Sequence, residues 1–315
     1  MKQMSAKKVI NDESARYINP LTDFGFKRIF GMEANKDLLI NFLNAVLSIE
    51  GGIKDLRYDN PERQGRLKID RKAIFDLYCI TGKNEQIIIE MQNVRQDYFK
   101  DRVLYYVTFP IQNQGERKRK WNFKLHPVYS VNILNFLITE GLGNDLDKYA
   151  SYIQLHDRET HQVFYDKLTF VFLELPRFTK ALDELQTDFD RWMYVLKHLA
   201  ELQELPEALY NRIFQKLFHV AEVLKMTTEE RKLYDQSLKE YRDMYLMQDA
   251  LKEKDNALRK MDRILKKQNI ALEKKDFQLK NSVRILLEAG ISVQRVAEST
   301  GLSMTEIENI RKSIK

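Results

Sequence analysis

Two acids interrupt otherwise apolar runs, Asp76 in AIFDLYCI and Glu90 in IIIEMQ, with Gln92 two positions further on. The runs are rich in β-branched and aromatic residues and flank TGKNE, so 72–80 and 86–92 read as the strands of a hairpin. Side chains alternate across a strand, which puts Asp76 on one face with Tyr78, and Glu90 on one face with Ile88 and Gln92. With an odd-numbered loop centred on Lys83, Asp76 and Glu90 stand opposite each other. A two-residue turn at Gly82-Lys83 breaks that register. Facing like charges destabilise a sheet pair by about 0.2–1 kcal/mol, and by more when buried. A divalent cation between them reverses the sign. Mg²⁺ suits such a pair, because it takes one or two carboxylates and keeps waters for chemistry. The alternative is that the two acids lie on a solvated face or in different registers.

The elements that must carry this pair follow in order. Residues 35–47 (NKDLLINFLNAVL) have helical spacing and stop at Gly51-Gly52; 53–58 is a short strand candidate ended by Asp59-Asn60-Pro61. After the hairpin, 95–112 returns to helical spacing through Phe99, Val103, Tyr106 and Val107, and 128–137 and 162–173 read as further strands. Helix, three strands, helix, strand and an extra strand make an α/β domain. Residues 179–230 read as helices, and beyond about 231 the chain becomes a charged, proline-free helix before a small last module. The expected division is 1–178, 179–230, 231–281 and 282–315.

Among 315 residues, 43% hydrophobic, 11 glycines and 6 prolines exclude collagen-like and wholly disordered chains. The net charge of +6 and pI near 9.0 permit a polyanionic partner without demanding one. One cysteine, Cys79, rules out an intramolecular disulfide and a cysteine-rich zinc site. No run resembles a signal peptide or is long enough to span a bilayer, so the expectation is a cytoplasmic protein without membrane contact. The five histidines are dispersed, without metal-ligand spacing.

The spacing of Asp76 and Glu90-Met91-Gln92 resembles the D…(D/E)-x-K signature of the PD-(D/E)XK nuclease superfamily, and the element order resembles its fold. More narrowly, NPLTDFGFKRIFG (19–31), DRKAIFDLYC (70–79), IIIEMQNVRQDYFKDRVLYY (87–106) and KWNFKLHPVYSVNILNF (120–136) resemble the Rpn-type recombination-promoting nucleases, a PD-(D/E)XK transposase family, over roughly the first 230 residues. The resemblance implies a restriction-endonuclease-like core, a mixed sheet flanked by helices, acting on DNA with a divalent metal. Asp76 and Glu90 would hold that metal with the Met91 carbonyl, and Asp23 is a candidate to complete the site. The other reading of Asp23 is a helix cap, by it or by Thr22. Gln92 departs from the superfamily's commoner lysine. Relatives of this type often have glutamine there, so the change does not imply an inert site. A glutamine orients water but neither carries charge nor takes a proton, so a neighbouring cation is wanted. The sequence does not choose among Lys68, Lys72, Arg95 and Lys100.

Candidate phosphate contacts are Lys27, Lys100 and the run Arg117-Lys118-Arg119-Lys120 before Trp121. A solvated surface is the competing reading for each. In the charged helix, Leu251, Leu258, Leu265, Leu272, Leu279 and Leu286 recur every seven residues, but Lys254, Met261, Gln268 and Lys275 make a poor second stripe for a coiled coil. Homo-oligomerisation through 231–281 stands beside a single solvated helix. The last module, ISVQRVAESTGLSMTEIENIRKSI, resembles a helix-turn-helix, with Gly301 at the turn and Ile307 and Ile310 facing inward. The leading functional expectation is a metal-dependent DNA endonuclease linked to recombination or mobile elements. The alternatives are an inert DNA-binding protein on the same fold and a coiled-coil interaction protein.

Overall fold

The computed structural model describes residues 15–59, 62–63, 73–115, 122–138 and 148–312. The chain forms two compact units, Met1–Leu246 and Met247–Lys315.

The first unit begins with α1 (Asp23–Phe30) and α2 (Lys36–Val46), followed by β1 (Leu56–Tyr58) and a two-stranded ribbon of β2 (Glu62–Arg63) with β3 (Ala73–Ile74). Next come β4 (Leu77–Thr81), β5 (Gln86–Gln92), α3 (Phe99–Asn113), β6 (Val128–Leu134), β7 (Ala150–His156) and β8 (Val163–Glu174). After these, α4 (Asp188–His198) and α5 (Arg212–Ala221) lead into α6 (Thr228–Glu288), whose first turns belong to this unit. The main sheet runs β1-β4-β5-β6-β8-β7. Pairs β1/β4, β4/β5 and β7/β8 are antiparallel, whereas β5/β6 and β6/β8 are parallel.

Turn chemistry fixes the hairpin register. The Thr81 N–H donates to the Glu85 carbonyl (2.9 Å), the Asn84 N–H donates to the Thr81 carbonyl (2.9 Å), and Asn84 adopts φ 63°. That is a three-residue loop whose last residue is left-handed, a conformation asparagine tolerates. The odd loop pairs Leu77 with Ile89 and Tyr78 with Ile88, which is the register that brings Asp76 to Glu90.

The sheet has two apolar faces. On one, Leu77, Cys79, Ile87, Ile89, Val131 and Ile133 join the helical layer built around Phe30, Phe42 and Trp192. On the other, Tyr78, Ile80, Ile88 and Val128 lie under α3 with Val107 and Phe109. Glu90 follows Ile88 on that second face.

Three elements differ from the sequence reading. The expected strand 72–80 is broken, because the chain bends at Asp76 so that β3 pairs with β2 and β4 starts afresh at Leu77. The helix after β5 starts at Phe99 and not at 95, behind Tyr98 in a left-handed conformation (φ 59°). Strand β7 was not foreseen: ASYIQLH is half-exposed, lacks a β-branched run, and owes its strand geometry to pairing with β8.

The opening phrase NPLTDFGF is a structural device. Asn19 Oδ1 accepts from the Leu21 N–H (2.9 Å), and Thr22 Oγ1 caps α1 by accepting from the Gly25 N–H (3.0 Å). Asn93 Nδ2 donates to the Leu21 carbonyl (2.7 Å), which ties the phrase to the end of β5. From α6, Tyr234 Oη accepts from the Asn19 N–H (2.9 Å) and Ser237 Oγ from the Phe24 N–H (3.1 Å).

In the second unit Val283 of α6, Val296 of α7 (Val293–Thr300) and Ile307 of α8 (Met304–Lys312) form a small core. Gly301 ends α7 at φ 73°, and Ser303 and Glu306 cap α8 reciprocally. No helix among the described residues is long and apolar enough to cross a membrane.

A Cβ on Gly25 would lie 2.1 Å from the Asn19 carbonyl oxygen, whereas one on Gly82 meets nothing within 4 Å. Gly25→Ala should therefore destabilise the protein by about 2–3 kcal/mol in urea denaturation, and Gly82→Ala by less than about 1 kcal/mol.

Candidate active site

Asp76 occupies the bend just before β4, and Glu90 lies near the end of β5. Beyond Leu77 the β4 ladder stops, which strips Met91 of a strand partner on that side. The Asp76 side chain replaces it, Oδ2 accepting from the Met91 N–H at 2.6 Å. Glu90 Oε1 in turn lies 3.4 Å from the Asp76 N–H, and Gln92 Nε2 donates to Glu90 Oε2 at 3.1 Å. One short hydrogen-bonded circuit thus contains Asp76, Glu90, Met91 and Gln92. The N–H and C=O of a strand residue point to the same side, so the Met91 carbonyl faces the gap that its N–H shares with Asp76.

Both carboxyl groups are strongly desolvated. Burial is the largest influence on each. It raises Asp76, with further upward pressure from Asp23 and opposition from the Met91 N–H, Lys27 and Arg102. Glu90 is pushed up to about 8 by burial and by the charge of Asp76, against the pull of Arg102 and the hydrogen bonds from Asp76 and Gln92. Two hard oxygen donors, each disfavoured as an anion, are a donor set that a divalent cation relieves, and oxygen chemistry suits Mg²⁺ or Mn²⁺ better than zinc. Among the described residues no group of three or more His, Cys, Asp or Glu side chains converges to hold a metal.

Asp23 and Lys27 flank this circuit without joining it. Thr22 is the cap of α1; Asp23 is its first residue and makes an exposed ion pair with Lys27 at 2.8 Å. Asp23 still lines the same cleft of about 240 Å³ as Asp76, Met91 and Gln92. Lys100 is exposed on the first turn of α3 and, with Arg95, lines a neighbouring cleft of about 300 Å³. The run Arg117-Lys118-Arg119-Lys120 with Trp121, and the alternative cations Lys68 and Lys72, lie outside the described residues.

Sequence reasoning missed several groups around the pair. Arg102 acts electrostatically on both carboxyls, and Tyr106, one turn on, is raised by burial and then by Glu90. A cation and a tyrosine four apart fall beside the buried stripe of Phe99, Val103 and Val107, but nothing in the sequence of α3 separates that cation from the other charged residues there. Asn132 stands opposite Glu90 in the β5/β6 register and is fully buried, with Oδ1 unpartnered. It was hidden in a strand that reads as apolar. Ser237, Glu240 and Tyr241 of α6 close the cleft behind Asp23 and Gln92, and no local pattern announces that contact.

No curated protein and no solved structure matches the chain. Residues 20–250, which carry α1, the whole main sheet, both acids and the first turns of α6, match a known family model. With that match covering most of its length, and with an acid at the bend before one strand bonded into the end of the next, the chain belongs to the PD-(D/E)XK nuclease family transposases.

Proposed function

We propose that the protein is a metal-dependent DNA endonuclease that hydrolyses phosphodiester bonds in recombination or the movement of mobile DNA. The observation that carries this reading is the meeting of Asp76 and Glu90 in one desolvated circuit with Met91 and Gln92. Asp76, Glu90 and the Met91 carbonyl would hold a divalent cation, most simply Mg²⁺. That ion supplies Lewis-acid stabilisation of phosphoryl charge and lowers the pKa of the attacking water.

This chain's own groups do the positioning. The Met91 N–H fixes the Asp76 carboxylate, the Gln92 amide fixes Glu90, and each carboxylate keeps an oxygen lone pair for the cation. Gln92 donates a hydrogen bond without taking a proton, so it orients and does not act as a base. Asp23, which lines the cleft, fits a role in completing the site, and the exposed Lys27 and Lys100 fit contacts to the DNA backbone.

Supercoiled plasmid incubated with Mg²⁺ should be nicked by the wild type, with Asp76→Ala and Glu90→Ala each slower by about 10³-fold or more. Cleavage by both variants at the wild-type rate would overturn the reading. Salt-sensitive DNA binding without nicking in any metal would instead favour an inert binding protein.

The metal-free protein has its own signature. Glu90 is raised from an ordinary glutamate value to about 8, so the folded state holds a proton that the unfolded chain releases between those two values. Stability is therefore greatest at low pH within that window and falls as pH rises through about 8. Chemical denaturation in chelator should show a loss on the order of 3 kcal/mol between pH 5 and pH 9. Glu90→Gln should flatten that slope.

A further inference from the structure

Phosphodiester hydrolysis builds negative charge on the phosphoryl oxygens, and a site must meet it with fixed donors. Gln92, in the position where the wider superfamily commonly has lysine, is neutral. Lys27 is engaged by Asp23. Arg102 donates to Gln96, which lines the same cleft as Asp76, Met91 and Gln92, and it lies over Tyr106, whose ring meets that of Phe75, the neighbour of Asp76.

Arg102 is anchored without being neutralised. Its Nη1 donates to Gln96 Oε1, and its guanidinium carbon lies 5.7 Å from the centre of the Tyr106 ring. Its Nε is buried with no hydrogen-bond partner. No ion pair joins it to a carboxylate among the described residues. This combination is unusual, because a buried unpartnered donor costs about 1–3 kcal/mol. An arginine paired directly with Glu90 would satisfy that donor, but it would also occupy the position a cation needs. Held by Gln96 and Tyr106, the guanidinium stays on α3 next to a residue of the cleft that Asp76, Met91 and Gln92 line. A phosphate is the ligand that fits there. Its oxygens match the planar fork, and it would bridge Arg102 on one side and the carboxylate-held cation on the other.

We propose that Arg102 is a catalytic residue that donates hydrogen bonds to the scissile phosphate and stabilises its developing charge in place of a lysine at position 92. The inference rests on the nuclease reading above and assigns the charge-stabilising work to α3, separately from the carboxylates on the strands.

The test uses the full chain, as wild type, Arg102→Gln and Arg102→Lys, with three measurements. Plasmid nicking under saturating enzyme and Mg²⁺ should slow about 10²–10³-fold in Arg102→Gln and by an intermediate factor in Arg102→Lys. Duplex binding followed by anisotropy in Ca²⁺ across a salt series should lose about one unit of log–log slope in Arg102→Gln, as for one lost phosphate contact. The rise in melting temperature on adding Ca²⁺ should persist in both variants, since the carboxylates remain.

Cleavage by Arg102→Gln within about threefold of wild type, or an unchanged salt slope, overturns the assignment while leaving the nuclease reading intact. Loss of the Ca²⁺ shift overturns it too, because Arg102 would then be positioning the carboxylates. If Arg102→Gln fails to fold, Arg102→Lys decides: wild-type rate and slope there mean charge balance alone, against the proposal. Absence of metal-dependent nicking by the wild type removes the nuclease reading, and the assignment with it.

Discussion

Two carboxylates facing each other in an apolar layer repel, and the protein holds them there. Asp76 does so by doing the work of a missing strand. Where the chain bends and the β4 ladder ends, the Met91 N–H would be an unpaired donor beside a hydrophobic face, a costly position for a backbone group. The Asp76 carboxylate satisfies it. Local backbone accounting therefore supplies part of the energy that keeps an acid in place against the charge of Glu90.

The rest of the first unit is arranged around that bend. Under α3, the sheet face is dry enough to raise both acids, through the aromatic and aliphatic packing of Phe75, Tyr78, Val107 and Phe109. On the open side, the α1 phrase is bolted to β5 by Asn93 and to α6 by Tyr234 and Ser237. These bonds set the wall of the cleft at a fixed distance from the strand ends. The helices on the opposite face, centred on Trp192, back the central strands, and the Met91 side chain packs against the same cluster.

Much of this was legible in the sequence because it follows from periods and turn chemistry. The apolar runs around TGKNE named the hairpin, and the distance of each acid from Lys83 named their pairing once an odd loop was allowed. Asn84, able to adopt a left-handed conformation, is the residue that makes the loop odd. The break in the strand at Asp76 was not legible, because AIFDLYCI is uniformly strand-like and only its tertiary partners divide it. The α6 wall was hidden for the opposite reason. Its residues look like a solvated charged helix until Tyr234, Ser237 and Tyr241 are seen to contact segments about a hundred to two hundred positions away. Arg102 was not legible because nothing in the sequence of α3 separates it from the other charged residues beside the stripe of Phe99, Val103 and Val107.

The glutamine at position 92 gains a physical meaning from this arrangement. A lysine there would sit within bonding distance of Glu90 Oε2, where the Gln92 amide now sits. It would pair with that carboxylate, lower its pKa and offset the negative charge on which cation affinity depends. The neutral amide restrains the same oxygen without adding a positive charge beside the pair. In the proposed mechanism the positive charge comes from Arg102 on α3, held by Gln96 and Tyr106. The two charges are held on a strand and a helix on their own terms: the acids by backbone and amide donors, the half-buried cation by an amide oxygen and an aromatic face.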